Sequence, residues 1–319
     1  MDTLSDLLQV VRLSGAFFYA TDAAEPWRVE TVAARELRPR ILPGVEHVIS
    51  YHIVIAGECY AALTDGEPVH LVAGDAIVFP HGDAHVMSSA RGMAVTAAIT
   101  SVPARYAETV ILGDRDKAAV SLVCGFLGCD RRPFNPLLAA LPRQMHLRGI
   151  TSAWGSAFTR QLTEERRFAK PGADTIVTRL AELMFIEALR RFVADLPPGG
   201  TGWLAGLRDE MVGQVLALLH ARPAHPWTID TLARAVASSR SNVAKRFTEM
   251  VGQPPMQYLA QWRMQIAANL LVRTGAKVAT IGAEVGYDSE AAFSRAFKKA
   301  TRVSPGAWRR SSWRYPRSS

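Results

Sequence analysis

Between residues 228 and 308 the chain runs through one pattern twice, and a helical pattern repeated together with its caps leaves few alternatives for the fold of that region. Ile229, Leu232, Ala233 and Val236 fall at i, i+3, i+4 and i+7, which lines one face of a helix, and Val278, Ile281, Gly282 and Val285 repeat the spacing. A short turn follows each stripe. Then comes Ser239 or Ser289, placed to accept a hydrogen bond from the free N–H groups that open the next helix. Val243 and Phe247 pin that helix in the first copy, Phe293 and Phe297 in the second. Lys245 and Arg295 stand two residues before the matching phenylalanines, on faces that the aromatics leave free. Each copy closes with a proline, Pro255 before Tyr258 and Pro305 before Trp308. Each half therefore reads as a helix-turn-helix that ends in a basic helix.

Charge and length narrow the reading. A chain of 319 residues with 49% apolar and 21% charged residues has room for two or three globular domains and is neither disordered nor collagen-like. Its net charge of +8 is unevenly spread: from Thr201 onward 17 Lys and Arg face 7 Asp and Glu, a balance of +10, so the first 200 residues hold 20 against 22, or −2. A basic C-terminal third on a patterned scaffold points to a polyanion, most simply nucleic acid. The start Met1-Asp2-Thr3 lacks the basic region and apolar core of a secretion signal. The longest uncharged apolar stretch, Ala118 to Cys129, is too short to cross a bilayer and reads as a buried strand. Cys59, Cys124 and Cys129 are too few for a disulfide framework. The expected setting is a reducing cytoplasm, with no membrane partner.

From about Trp27 to Thr100 short Val- and Ile-rich runs alternate with Gly, Pro and Asp, as in an antiparallel sandwich or small barrel. The candidate strands are His47 to Ala56, Cys59 to Leu63, Pro68 to Val72, Ala76 to Phe79 and Met93 to Thr100. Beyond Pro142 helical periodicity takes over, in Ser152 to Phe168 and Asp174 to Ala194. In the latter Val177, Leu180, Met184, Ala188 and Phe192 make a stripe that Ile176, Leu183, Ile186, Leu189 and Val193 broaden. A helix this apolar needs partners on more than one side, from a dimer contact or from packing against the β domain. Prolines and glycines in Leu196 to Gly202 mark a linker. A helix from Asp209 to His220 leads into the first copy, and Met256 to Val272 forms a connector about 25 Å long. That length suits two recognition helices held about one DNA turn apart. The expected architecture is α+β, with a β-barrel over 1–142, a helical and dimerisation segment over 143–196, a flexible linker over 197–208 and an all-α domain with two helix-turn-helix motifs over 209–319.

The C-terminal residues carry a resemblance. From about Met211 to Arg310 the chain is similar to the AraC/XylS family of bacterial transcription regulators, through Leu232-Ala233, Arg246-Phe247, Pro255-Met256-Gln257-Tyr258-Leu259, Ile281-Gly282-Ala283-Glu284-Val285-Gly286-Tyr287, Ala292 to Lys298 and Ser304-Pro305. It departs from that pattern where Ala237 and Arg302 replace glycine, at a cost of about 1 kcal/mol each if the turn needs positive φ. The resemblance implies that the N-terminal faces of two helices enter the major groove, carrying Arg240, Ser241, Ala244 and Lys245, then Glu290, Ala291, Ser294 and Arg295. Arg and Lys donate to guanine, Glu accepts from cytosine, and small residues pack on thymine methyls. Arg246, Lys298, Lys299 and Arg309 are the expected phosphate contacts.

The N-terminal part resembles a cupin domain through Gly74-Asp75-Ala76-Ile77-Val78-Phe79-Pro80-His81-Gly82-Asp83-Ala84-His85, which fits the second cupin motif, although His47 and His52 do not make the first. His52, His85, Cys124 and Cys129 are the side chains able to complete a soft metal site, with zinc favoured by imidazole and thiolate and with His47 and His81 as alternates. Core packing of these residues, or a Cys124–Cys129 redox pair, are the other readings. The expected partners are double-stranded promoter DNA, a small-molecule or metal effector, RNA polymerase and a second copy of the chain. A sequence-specific, effector-responsive transcription regulator leads. A cupin-type metal enzyme with an incidental basic tail is disfavoured by the degraded first motif, and a sequence-blind DNA binder by the positioned helices.

Overall fold

In the computed structural model, residues 3–11, 13–94, 97–99, 109–130, 133–150, 171–197 and 200–312 are described. The chain divides into two compact units, one of Leu13–Cys129 and Leu141–Asp195, the other of Met1–Arg12, Asp130–Ala140 and Leu196–Ser319.

Among the described residues the first unit holds eleven strands: β1 (Leu13–Ala23), β2 (Arg28–Thr31), β3 (His47–Ala56), β4 (Glu58–Leu63), β5 (Val69–Val72), β6 (Ala76–Phe79), β7 (His85–Ser88), β8 (Ala97–Ile99), β9 (Thr109–Leu112), β10 (Val120–Cys129) and β11 (Met145–Leu147). They pair as a six-stranded sheet in the order β11-β6-β3-β10-β1-β9 and a five-stranded sheet in the order β5-β4-β7-β2-β8. The expected closure into a barrel is not shown by this pairing: β11 and β9 end one sheet, β5 and β8 the other. The pattern is antiparallel except at β9 and β8, which lie parallel to β1 and β2. Central strands β1 and β10 escape an alternation test because both of their faces are covered, which turns a period of two into an unbroken apolar run. Phe17, Tyr19, Cys124, Phe126, Ile77 and Phe79 of the larger sheet share one buried core with Val29, Ala61, Leu71 and Met87 of the smaller.

Helix α1 (Thr3–Val10) belongs to the second unit, whereas α2 (Ala34–Ile41) belongs to the first. Of the helices expected beyond Pro142, Ser152 to Phe168 lies outside the described residues. The second, Ala173–Ala194, packs against β1 and β11. Its buried side is Ala181, Met184, Phe185, Ala188 and Leu189, while Ile176 and Leu183 are 40% and 46% exposed. The apolar stripe is therefore rotated from the expected one, since the sheet and not periodicity alone chooses which apolar face is covered.

In the second unit α3 (Pro136–Ala140) is followed, with Ala173–Ala194 as α4, by α5 (Trp203–Gly206), α6 (Glu210–Ala221), α7 (Ile229–Ala235), α8 (Arg240–Val251), α9 (Pro255–Arg273), α10 (Val278–Glu284), α11 (Glu290–Thr301) and α12 (Pro305–Ser312). The residues expected as a flexible linker through Arg208 include a buried helical turn, because Trp203 and Leu204, 3% and 2% exposed, find apolar cover against α8. Trp203 Nε1 donates to the Tyr258 hydroxyl at 2.8 Å. That hydroxyl then donates to His220 Nε2 at 2.7 Å, and the imidazole stacks 4.1 Å from Trp262. Burial lowers the His220 pKa to about 3, which keeps the ring neutral.

Two further stretches from the first 140 residues join this unit. α1 packs on α6 and α9, and Asn269 donates to the Val10 carbonyl. Phe134 meets the Tyr258 ring edge-on at 5.4 Å, and its N–H donates to Gln265 Oε1 at 3.0 Å. Tyr258, Gln265 and Asn269 sit at i, i+7 and i+11, so one stripe of α9 receives both stretches.

Candidate nucleic-acid interface

Two helix pairs, α7 with α8 and α10 with α11, flank the connector α9. Ser239 caps α8 by accepting from the Asn242 N–H, and Ser289 caps α11 by accepting from the Ala292 N–H. Val243, Phe247, Phe293 and Phe297 are fully buried, as are Tyr258 and Trp262 to within 1%, so these aromatics serve the core and not base stacking. With its apolar residues turned inward, each capped helix leaves its opposite face to solvent. Arg240, Ser241, Lys245 and Arg246 are exposed on α8 and Ala244 is half-buried; on α11 Glu290, Ala291, Arg295 and Lys298 are exposed and Ser294 is half-buried.

The turns inside the pairs are left-handed at matching places. Ala237 has φ 48° in the first pair and Gly286 has φ 83° in the second. The helices α8 and α11 end the same way, on Gly252 at φ 83° and Arg302 at φ 67°. Ala237 and Arg302 thus hold the conformation that glycine takes most easily, which is the strain their sequence positions implied.

The cations divide sharply. On α8, Arg240 Nε lies 3.0 Å from Asp230 Oδ1 of α7, and Lys245 Nζ 4.0 Å from Glu249. Arg246 places Nε and Nη2 on Asp209 Oδ2 at 3.1 and 2.8 Å. Asp209 also caps α6 through the Val212 N–H, and these donors hold its carboxylate below the usual range despite burial. Arg246 is therefore an internal strut before it is a phosphate contact. So is Arg309, which donates to the Leu271 and Ala276 carbonyls at 3.1 and 2.6 Å and closes the C-terminal end of α9. On α11, Arg295, Lys298 and Lys299 have no carboxylate partner among the described residues. Sequence reasoning assigned no role to Asp209, Asp230 or Arg263, although Arg263-Met264 is part of the family resemblance. Arg263 reaches the Pro223, His225 and Gly286 carbonyls from α9. Of the three, Asp209 had a legible signal, as a capping residue at the head of a predicted helix.

The second candidate site lies between the sheets. Tyr19, Cys124 and His52 are direct cross-strand partners in one row over β1, β10 and β3. His52 Nε2 meets His85 Nε2 of the other sheet at 2.7 Å. The Asp83 carbonyl, 2.9 Å from His85 Nδ1, only accepts, so His85 carries its proton there and receives the His52 Nε2–H at its other nitrogen. Burial, and then the neighbouring imidazole, push the His52 pKa well down; burial lowers His85 to about 4. Both rings are neutral near pH 7.

Cys124 does not complete a soft metal centre with them. Burial raises its thiol to about 12, which disfavours the free thiolate that redox exchange needs. Cys129 is five residues further along the same regularly paired strand, hence on its opposite face, and no disulfide joins the two. The expected set of His52, His85, Cys124 and Cys129 is thus split, with His47 Nε2 held 2.7 Å from the Pro80 carbonyl and His81 Nε2 2.9 Å from the Leu141 carbonyl. Among the described residues no three His, Cys, Asp or Glu side chains gather as ligands. These residues do not fit the zinc site, and no step below runs through a metal.

A profile described as cupin matches residues 2–194, and one described as a helix-turn-helix domain matches residues 232–311. A protein of Streptomyces lividans named as an AraC-like transcription regulator is 32% identical over 97% of this chain and 98% of its own length. A protein of the same description from Streptomyces antibioticus is 30% identical, covering 97% of this chain and 99% of that one. The HTH-type transcriptional regulator AlkR of Acinetobacter baylyi is 29% identical over 98% of this chain and all of its own length.

Proposed function

The chain belongs to the AraC-like transcription regulators with an N-terminal cupin domain, and from that premise we propose that it reads a promoter by setting α8 and α11 into two successive major grooves. It is a transcription regulator and not an enzyme. Lys245 and Arg295, exposed at matched places on helices whose buried faces are matched as well, carry the reading. At 19 residues α9 is about 28 Å long, close to the rise of one duplex turn, which suits two motifs of the helix-turn-helix kind on one face of the DNA. Arg295, Lys298 and Lys299 supply the long-range attraction to phosphate.

The cupin unit takes an effector. β1 and β10, direct neighbours with Leu13 opposite Cys129, run into the two stretches that end on the α9 stripe, so a change in the sheet has a short covalent route to the connector. The exposed Ile176 and Leu183 of α4 offer a second copy of the chain its contact, and RNA polymerase is the partner recruited at the promoter. No helix among the described residues is long and apolar enough to cross a membrane, which suits a protein working on cytoplasmic DNA.

The test is selection of duplexes from a randomised pool by the full chain, followed by titration of a recovered duplex against an unselected one at fixed salt. A preference of about a thousandfold or more is expected. Equal affinity for both overturns the reading.

A further inference from the structure

Arg240 opens α8, and its partner Asp230 comes from the preceding helix α7, with both side chains largely in water, 67% and 50% exposed. An ion pair so exposed contributes little to stability, so its value must be sought elsewhere. The geometry differs from that of the neighbouring pair. Arg246 commits Nε and Nη2 to Asp209, whereas Arg240 meets Asp230 through Nε. Its Nη1 and Nη2 groups have no other partner among the described residues. That is the edge of a guanidinium that matches guanine O6 and N7.

A free arginine at a helix start samples many rotamers, and fixing one on DNA costs side-chain entropy. Asp230 removes part of that cost before the duplex arrives. The repeat supplies an internal comparison: Asp230 corresponds to Ala279 and Arg240 to Glu290, so neither member of the pair exists in the second copy.

Resting on the reading that α8 enters a major groove, we propose that Asp230 is a positioning residue that aims Arg240 at a guanine and thereby sets sequence choice in the first half-site. The alternative role for a carboxylate so near DNA is mere repulsion, and the two make opposite forecasts. Loss of a repulsive charge tightens binding to every duplex alike. Loss of an aiming charge lowers the preference for one base pair.

The experiment takes a duplex selected by the wild-type full chain and variants of it with single G·C pairs replaced. Arg240→Ala should lower discrimination at one G·C pair by roughly tenfold, and Asp230→Asn should lower it at that same pair by roughly threefold or more. Asp230→Glu should restore part of it, and Asp230→Asn should change nothing further in the Arg240→Ala background. Discrimination at the base pairs answered by α11, read out with Arg295→Ala, should be unmoved. Uniform tightening without loss of choice overturns the proposal, as does a loss that persists without Arg240 or an Arg240→Ala variant that still discriminates. A wild-type chain that selects no duplex overturns the regulator reading and this proposal with it; a selecting chain whose preference ignores Asp230 overturns only this one.

Discussion

The two helix pairs follow one plan with different materials. Where the first has Ala233 and Val243, the second has Gly282 and Phe293 at the corresponding places, all four buried. A methyl added to Gly282 would stand 3.0 Å from the Phe293 Cβ, so the larger ring and the missing side chain belong together. The first pair opens with a capping box at Thr228 and Thr231, the second with no side-chain cap at Lys277. On α8 Arg240, Lys245 and Arg246 lie against carboxylates, whereas on α11 Arg295, Lys298 and Lys299 have none among the described residues. The lesson is that the two copies keep one backbone plan while side-chain volume and charge are distributed differently between them.

The largest expected effect breaks the packing half of this comparison. Phe293→Ala should destabilise the full chain by about 3 to 5 kcal/mol in denaturant unfolding, and Val243→Ala by clearly less, because more volume is lost beside a glycine that cannot fill it. Equal losses would show that the two cores are interchangeable. Next come the proposed base contacts. Lys245→Ala and Arg295→Ala should each weaken binding to a selected duplex by about 1 to 3 kcal/mol and relax choice at different base pairs, as measured by competition with substituted duplexes. The same loss on all sequences would reassign the residue to phosphate.

Acid should separate the pairs more gently. His220 is buried beside the first pair's core, and its folded pKa of about 3 is below the unfolded value near 6.5. Between those limits the unfolded chain binds the extra proton, so stability falls as pH falls, by about 2 kcal/mol at pH 5. His52 and His85 add losses of the same sign in the sheet unit. His220→Gln should flatten part of that slope in unfolding measured from pH 7 to pH 4; an unchanged slope would exclude the imidazole as its source. The smallest change is in the turns: Ala237→Gly and Arg302→Gly should each raise stability by about 1 kcal/mol, since both residues hold positive φ. A loss instead would mean that contacts of the native side chains outweigh backbone strain.

The helical unit was the legible part. Ser239, Ser289, Pro255 and the apolar phases encode their structure within a few residues of chain, so their reading needs no tertiary knowledge. Strands β3 and β6 were bounded correctly for the same local reason. β1 was not, because Ala16 to Ala20 is apolar on both faces and a central strand lacks the alternation that marks a half-buried one. The exposure of Lys245 and Arg295 followed from the helix phases, whereas Arg240, Ser241, Ala244, Glu290, Ala291 and Ser294 were named through the family resemblance. Asp230 was reached by neither, since its value depends on Arg240 reaching back from another helix. The proposed His52 and Cys129 grouping failed on strand parity, a property that needs the register and not just the spacing.

Residues 133–140 and α1 reach the α9 stripe from far upstream, and this bears on how the molecule may be dissected. A fragment excised at Leu196 would shed both, baring the Tyr258 ring, the Gln265 amide and Asn269 at once. The reading head is a composite of three non-contiguous stretches of polypeptide, so proteolytic trimming to its C-terminal third removes building material and not merely a neighbour.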